Sequence, residues 1–245
     1  MDLGLKNKRI VVQGSSSGLG FAIAKAFIEE GAKVVICSSH AERIQQAAVK
    51  IPPAIPLVYD LDIPGNGRLL IEQAIQRLGG IDVLVTNTGG PPKGDFAELT
   101  SQDWTQGFHR LWQSAADSIR EALPSMKKQK FGRILLNTST AAKEPIPHLT
   151  VSNALRAGLL GLMKSLSKEM APHHITVNAM LPGYTRTDRL AELNIPEEKL
   201  ISQVPMGRLA HPEELAALAL FLSSTQASYI TGQAIACDGG LIQGL

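Results

Sequence analysis

The chain has 245 residues, of which 44% are hydrophobic and 19% are charged, and its formal net charge is +2 at pH 7. Because the charges are scattered along the chain, we expect neither a nucleic-acid-binding surface nor a polybasic segment that binds membranes. The longest strongly apolar run, LAALALFL at 215–222, is too short to span a bilayer, and we expect no secretory signal peptide. The two cysteines, Cys37 and Cys237, form neither a CxxC motif nor a metal-binding spacing, so we expect a cytoplasmic protein without a disulfide or a metal site.

Short apolar runs alternate with segments of helical periodicity along the chain. Continuous apolar strands that alternate with helices are typical of a parallel sheet covered by helices on both faces. We therefore predict a single α/β domain over residues 1–245, with a Rossmann-like doubly wound parallel sheet of about seven strands. Its ligands should bind outside the carboxyl ends of the strands. The predicted strands are 9–13, 33–37, 55–60, 81–87, 132–137, 173–183 and 233–237, and the predicted helices are 21–31, 41–50, about 64–78, about 101–126, a long helix that opens within 148–158, and one that begins at 212.

A glycine-rich stretch, QGSSSGLG at 13–20, joins the first predicted strand to the first predicted helix. Its glycines, Gly14, Gly18 and Gly20, allow a tight turn and a close approach of the backbone to a pyrophosphate at the helix N-terminus. The alternative is a glycine-rich turn that binds no ligand. The position of the stretch between a strand and a helix favours a dinucleotide site.

Several further motifs occur in the order expected of the short-chain dehydrogenase/reductase superfamily, which the chain resembles over nearly its whole length. They are YDLD at 59–62, VTNTGG at 85–90, LPGYTRT at 181–187 and the segment 206–240. Within that superfamily the chain looks most similar to the 3-oxoacyl-acyl-carrier-protein reductases. The resemblance implies cofactor contacts, among which Asp60 reads the adenine amino group. These contacts are Gly14, Ser16, Ser17, Gly18, Leu19, Gly20, Ser38, Ser39, His40, Asp60, Leu61, Asn87, Thr88, Gly89, Arg156, Pro182, Gly183 and Thr187.

The end of the second strand bears on the choice between NAD and NADP. An acidic residue there normally binds the ribose 2′-hydroxyl of NAD, whereas an arginine accommodates the phosphate of NADP. This chain has Cys37-Ser38-Ser39-His40 at that place, with neither an acid nor an arginine. Hydroxyl groups and a histidine can surround a phosphate that no carboxylate repels, so the sequence favours NADP over NAD. Loop-forming polar residues without this role are the alternative.

The resemblance also implies a catalytic serine, tyrosine, lysine and asparagine. By the spacing of the motifs, the serine position is Ser139, the tyrosine position is Ser152, the lysine position is Arg156 and the asparagine position is Leu111. No tyrosine in the chain has a lysine four residues later, so the difference does not come from a shifted alignment. One of the four expected residues is therefore present.

Residues 152 and 156 lie four positions apart, which places them on one face of the predicted helix. Arg156 keeps a positive charge at this place, but Ser152 is a far weaker acid than a tyrosine, whose pKa starts near 10. A helix-start serine and a structural arginine are one interpretation, and a remodelled active site is the other. For a relocated proton donor we consider His109, His148 and Tyr184, and we favour Tyr184 for its place after Pro182-Gly183.

The intact cofactor motifs predict an NAD(P)-dependent oxidoreductase that transfers a hydride between nicotinamide and a small carbonyl or alcohol substrate. The missing tyrosine and lysine leave a second hypothesis open, a non-catalytic dinucleotide-binding scaffold or regulatory subunit. Cofactor-free chemistry, as in the similar halohydrin dehalogenases, ranks last because those enzymes lack the glycine loop. The segment 184–205 should cover the substrate. The resemblance implies a homodimer or homotetramer that uses helices 102–126 and 152–170 at one interface and the C-terminal segment at the other.

Overall fold

A computed structural model describes residues 2–191 and 195–244 of the chain. It confirms the predicted single α/β domain with a Rossmann-like, doubly wound sheet. Seven parallel strands pair in the order β3-β2-β1-β4-β5-β6-β7. The order reverses between β1 and β4, and ligands of such sheets bind at this reversal point, outside the carboxyl ends. The strands are β1 (Arg9–Val12), β2 (Lys33–Ser38), β3 (Ile55–Val58), β4 (Val83–Thr86), β5 (Gly132–Asn137), β6 (Ile175–Pro182) and β7 (Ala234–Cys237).

Helices cover both faces of the sheet and form two separate hydrophobic cores. Side chains that alternate along each strand point to opposite faces. Thus Ile134 and Leu136 of β5 lie in one core, while Leu135 between them lies in the other. The helices are α1 (Gly18–Glu29), α2 (Ala41–Lys50), α3 (Asn66–Leu78), α4 (Ser101–Phe108), α5 (Ser114–Gln129), α6 (Thr150–Met170), α7 (Asp188–Ala191), α8 (Glu197–Ile201) and α9 (Pro212–Ser223).

Helices α3, α5 and α6 contribute to the first core, which includes Leu70, Ile119 and Met163. Helices α1, α2 and α9 contribute to the second, and α1 packs extensively against α9. Central strands such as β4 are therefore buried along their whole length, because they pack against helices on both sides. This explains why such strands appear in the sequence as mostly apolar runs.

The long helix predicted for 101–126 is divided in the structure. Thr100 caps its start, because its hydroxyl accepts a hydrogen bond from the backbone N–H of Asp103 at 3.3 Å. Helix α4 then continues through a π-helical segment, His109–Gln113, into α5, which extends to Gln129. Periodicity does not distinguish a π-helical turn from the α-helix around it, so the sequence did not predict the division.

Two other differences concern the ends of elements. Helix α1 begins at Gly18, three residues before the predicted start, so its first turn belongs to the glycine-rich stretch. The segment 184–205 contains the short helices α7 and α8, although residues 192–194 of it lie outside the described part. Within 2–191 and 195–244, no helix is long and apolar enough to cross a membrane.

Candidate cofactor and substrate site

A cleft of about 680 Å³ opens at the carboxyl ends of β1, β4, β5 and β6. It lies at the reversal point of the sheet, where the sequence predicted a ligand site. Many of the predicted site residues line it together: Gly14, Ser17, Gly18, Leu19, Asn87, Thr88, Gly89, Ser139, Ser152, Arg156, Pro182, Gly183, Tyr184 and Thr187. Other predicted cofactor residues do not line this cleft, namely Ser16, Gly20, Ser38, Ser39, His40, Asp60 and Leu61.

The three glycines of the loop serve different purposes. A Cβ on Gly14 would lie 2.6 Å from the backbone oxygen of Asn87, and a Cβ on Gly20 would lie 2.2 Å from the oxygen of Gly14. Both distances are too short for any side chain, so these glycines allow the turn to pack against β4. Gly18 instead has a left-handed backbone (φ 55°) and lies at the cleft beside Thr187, with 3.4 Å from its ideal Cβ to that methyl group.

This loop fits the pyrophosphate of a dinucleotide. Ser17, Gly18 and Leu19 line the cleft where α1 begins, and the first N–H groups of a helix have no partner within the helix. Such groups, together with the positive end of the helix dipole, favour an anion. A side chain at Gly18 would occupy the space that the anion needs.

Two asparagines connect the strand ends to the glycine loop. Asn87 donates from Nδ2 to the oxygen of Gly14 at 2.8 Å, and Asn137 donates from Nδ2 to Oδ1 of Asn87, also at 2.8 Å. Oδ1 of Asn137 is buried and has no hydrogen-bond partner among the described residues. Sequence reasoning missed Asn137. Its signal was a polar residue directly after the apolar residues 134–136, at the end of β5.

The region expected to hold the adenosine lies beyond the main cleft, next to β2 and β3. Ser38 Oγ accepts a hydrogen bond from the backbone N–H of His40 at 3.3 Å, and Asp60 Oδ1 accepts one from Asp62 at 3.0 Å. Arg110 is paired with Asp62, and this hydrogen bond raises the pKa of the guanidinium. Cys37 packs inside the sheet, and burial raises the pKa of its thiol to about 12. It is therefore a structural residue here.

Ser152 and Arg156 contact each other at the start of α6, as their spacing predicted. Nε of Arg156 donates to Oγ of Ser152 at 3.0 Å, and a terminal nitrogen of Arg156 donates to the oxygen of Thr138 at 2.7 Å. Both residues are buried, with 6% and 8% of their surface exposed. The arginine thereby joins α6 to the end of β5. A serine hydroxyl that accepts a bond still has one hydrogen to donate.

Ser139 lies just beyond β5 and lines the same cleft. Its Oγ accepts a hydrogen bond from the backbone N–H of Ala141 at 3.1 Å, which caps a short 3₁₀ turn, Thr140–Ala142. The hydroxyl oxygen of Ser139, like that of Ser152, thus accepts one hydrogen bond and keeps its own hydrogen to donate. Two serine hydroxyls and one buried guanidinium therefore meet at one cleft.

The other candidate donors occupy different surroundings. Leu111 is buried within the π-helical segment, and Nδ1 of the nearby His109 is buried without a partner in the described part of the chain. Tyr184 lines the cleft and donates from its hydroxyl to Oε1 of Gln203 at 3.2 Å. Burial raises the pKa of Tyr184, which makes it a weaker acid. His148 lines the cleft.

Sequence reasoning missed several further residues of the cleft. They lie on the segments that follow β4 and precede α6, and they are Pro91, Lys93, Thr138, Thr140, Ile146, Pro147 and Leu149. Thr185, Asp188, Leu190 and Ile195 also line the cleft and belong to the segment 184–205, which the sequence analysis expected to cover the substrate. No group of His, Cys, Asp or Glu side chains among the described residues could hold a metal ion.

Comparisons with known proteins place this site in a family context. The sequence model of the family described as enoyl-(acyl carrier protein) reductase matches residues 14–242. The 3-oxoacyl-acyl-carrier-protein reductase FabG of Thermotoga maritima is 32% identical, over 97% of this chain and 99% of that protein.

Solved structures are similar over the same extent. The L-sorbose reductase of Gluconobacter frateurii, complexed with NADPH and L-sorbose, superposes with a TM-score of 0.93 at 29% identity and covers 100% of both chains. The 3-ketoacyl-acyl-carrier-protein reductase of Brucella melitensis, complexed with NADH, has a TM-score of 0.91 at 32% identity, over 97% of this chain and 99% of that chain.

Proposed function

The chain belongs to the short-chain dehydrogenase/reductase superfamily, and from this membership and the geometry of the cleft we propose an NAD(P)-dependent oxidoreductase with a non-standard active site. It would act on a small carbonyl or alcohol substrate. The observation that carries the proposal is the meeting of the glycine loop with Ser139, Ser152 and Arg156 in one cleft.

In this proposal the glycine loop and Thr187 hold the pyrophosphate, and the nicotinamide extends toward α6 along Asn87 and Pro182-Gly183. When bound, the reduced nicotinamide supplies the hydride. The relatives with solved complexes support a nicotinamide cofactor, one with NADPH and one with NADH.

For the choice of cofactor we propose NADP over NAD. The β2 end offers Ser38, Ser39 and His40, and Arg43 lies in the first turn of the helix that follows. These groups can donate to a 2′-phosphate or carry a positive charge near it. Isothermal titration with NADPH and NADH at moderate salt tests this preference, which a tighter binding of NADH would contradict.

The two serines and Arg156 would stabilise the oxygen of the reacting carbonyl. As the carbonyl is reduced, negative charge develops on that oxygen, and fixed donors aimed at such charge lower the barrier. The hydroxyls of Ser139 and Ser152 would donate to it. Arg156, which already donates to Ser152 Oγ at 3.0 Å, would make that hydroxyl a stronger donor. Serine is too weak an acid to deliver the proton itself, so this arrangement separates stabilisation of the oxygen from protonation.

The experiment is a panel of ketones, aldehydes and alcohols, with the absorbance of reduced cofactor as the readout. We expect turnover by the wild type and a loss of about 10²–10³-fold in Arg156→Met, typical of the removal of an oxyanion donor. Arg120→Met is the matched control, because the Arg120 side chain is 77% exposed on α5. The proposal fails if the wild type binds cofactor but turns over none of the panel.

That failure would favour the second candidate, a non-catalytic dinucleotide-binding scaffold or regulatory subunit. The observation behind it is that Ser152 and Arg156 bond to each other and to Thr138. Such bonds suit a structural pair as well as a catalytic one. Tight cofactor binding without turnover separates the two candidates.

We also propose that the protein is a homodimer or homotetramer. Exposed apolar side chains support this. Phe96, before α4, is 74% exposed, and Phe108, the last residue of α4, is 41% exposed. Large exposed apolar groups of this kind often mark an interface. A cytoplasmic location stays a prediction from the small number of cysteines.

A further inference from the structure

A histidine and a carboxylate face each other at the cleft, on two loops that the proposed function does not use. His148 lines the cleft, and its Nδ1 lies 3.1 Å from Oδ1 of Asp95. Asp95 belongs to the segment after β4, and His148 belongs to the segment that leads into α6. A carboxylate at this distance orients an imidazole and fixes which ring nitrogen carries the proton.

The backbone holds these two loops together. The N–H of Gly94 donates to the oxygen of His148 at 2.8 Å, and Gly94 forms a parallel bridge with Leu149. The N–H of Asp95 donates to Oε2 of Glu98 at 3.1 Å, which caps the 3₁₀ turn Phe96–Glu98. These contacts anchor the backbones of both loops, whereas the side chains of His148 and Asp95 are 75% and 59% exposed.

His148 also has an uncommon backbone conformation, with φ of 59°. A residue with a side chain adopts the left-handed region seldom, and it does so where surrounding contacts require it. Here the bond from Gly94 to the oxygen of His148 is such a contact. His148 and Ser152 line the same cleft, four positions apart in the sequence, and the imidazole of His148 contacts Asp95.

We propose that His148 is the proton donor of the reaction and that Asp95 is its positioning residue. This proposal rests on the proposed oxidoreductase function. It assigns the role of general acid to His148, because the hydroxyl of Ser152 is too weak an acid for that role. Histidine is the side chain that gains and loses a proton between pH 5 and 8, as a general acid at neutral pH requires. Nδ1 would face Asp95, and Nε2 would face the substrate.

The step balances as follows. The carbonyl carbon gains the hydride that the reduced cofactor supplies, and the carbonyl π electrons move to the oxygen. The Nε2–H bond of His148 breaks and the new O–H bond forms, which completes the alcohol. The imidazole is left neutral and regains a proton from water.

Other charged or titratable groups face the same cleft and define the competing donors. They are Lys93, Arg156, Tyr184 and Asp188, while Glu98 contacts the backbone of Asp95. Of these, Tyr184 has its hydroxyl engaged with Gln203 and a raised pKa. Arg156 is effectively never deprotonated. His148 is the group in this cleft whose ring lies 3.1 Å from a carboxylate, that of Asp95.

The test compares His148→Gln and Asp95→Asn with the wild type, and His173→Gln, at the far end of α6, is the matched control. Calorimetry with NADPH comes first, and we expect the same affinity in all four proteins because neither His148 nor Asp95 belongs to the proposed cofactor site. Ketone reduction by His148→Gln should fall about 10²–10⁴-fold. The wild-type rate should fall as the pH rises, and that dependence should vanish in His148→Gln.

A readout without turnover is ¹⁵N NMR of the histidine rings. The ring of His148 should show a protonated Nδ1 in the wild type, and Asp95→Asn should change that signal while the signal of His173 stays constant. Wild-type turnover with an unchanged rate and pH profile in His148→Gln overturns this proposal alone. Absence of wild-type turnover overturns the proposed function and this proposal with it.

Discussion

Introducing a tyrosine and a lysine at positions 152 and 156 tests the proposal that the cleft presents a carbonyl substrate to a nicotinamide cofactor. In the variant Ser152→Tyr with Arg156→Lys, the phenol would project into the cleft that Ser152 lines, near the hydroxyl of Ser139. A positioned general acid contributes about 10²–10⁴-fold, so ketone reduction should rise by a factor within that range. The gain should increase further with Leu111→Asn, because Leu111 is an apolar group at the position where the resemblance implies an asparagine.

The variant should also have a lower free energy of unfolding than the wild type. Arg156 donates hydrogen bonds to Ser152 Oγ and to the oxygen of Thr138. The serine hydroxyl is absent from this variant, so the acceptor that loses its arginine donor is the oxygen of Thr138, which a lysine would have to reach with a single nitrogen. Leaving one buried acceptor without its partner costs about 1–3 kcal/mol. At about 2–4 °C per kcal/mol for a protein of this size, Tm should fall by about 2–12 °C. Thermal unfolding and NADPH titration therefore precede the rate measurements.

The matched control is Ser152→Phe with Arg156→Lys, which has the same ring without the hydroxyl. Rates should rise in the tyrosine variant and stay at or below the wild-type rate in the phenylalanine variant. If both variants fold, bind NADPH and reduce ketones equally, the phenol is not acting as an acid and the reasoning is refuted. If the tyrosine variant is slower than the wild type, the proton comes from another group. Tyr184→Phe and His148→Gln then test the two candidate donors that line the cleft.

Three other predictions concern the loop, the fold and the assembly. Gly18→Val should abolish NADPH binding in calorimetry with an unchanged circular dichroism spectrum, because Gly18 has φ of 55° and lines the cleft where we propose that the pyrophosphate binds. Gly161→Ala, with open space around its Cβ, is the control, and wild-type affinity in Gly18→Val would remove the loop from the cofactor site. Asp82→Asn should cost about 1.5–3 kcal/mol at pH 7, since burial raises the pKa of Asp82 but hydrogen bonds from Arg9 lower it below its ordinary value. A carboxylate whose pKa is lower in the folded protein stabilises the fold at pH values above its unfolded-state pKa of about 3.9. That stabilisation is lost as the pH falls through the folded-state pKa, so the difference in Tm between wild type and Asp82→Asn should close below about pH 4. A gap that persists at pH 2 would contradict this, and the exposed pair member Glu29→Gln should change Tm little at any pH. Light scattering at micromolar concentration should give a dimer or tetramer, and a monomer would contradict the proposed assembly.

The amino-acid sequence by itself determined the class of fold, because strands that are buried on both faces are apolar on both. Residues 134–136 of β5, Ile-Leu-Leu, show this, since successive side chains point to opposite faces of the sheet. The sequence also predicted the glycine loop. A side chain at Gly14 would clash with the backbone of Asn87, and a side chain at Gly20 would clash with the backbone of Gly14, so both positions require glycine. Such constraints act between residues that are close in sequence or on one adjacent strand. They therefore produce a pattern of residue types and spacings that can be recognised in the sequence alone.

The tertiary structure decided which distant residues share the cleft. Asn137 had no motif of its own, and its bond to Asn87 spans 50 positions of the chain. The pairing of Asp95 with His148 depends on two loops that meet only because β4 and β5 are neighbours in the sheet. The spacing of Ser152 and Arg156 predicted a shared helix face, but only the fold shows that the arginine also reaches the oxygen of Thr138 and so joins α6 to β5. Contacts of this kind depend on the order of the strands in the sheet and on the packing of the loops. Neither of these can be derived from the local periodicity of the sequence.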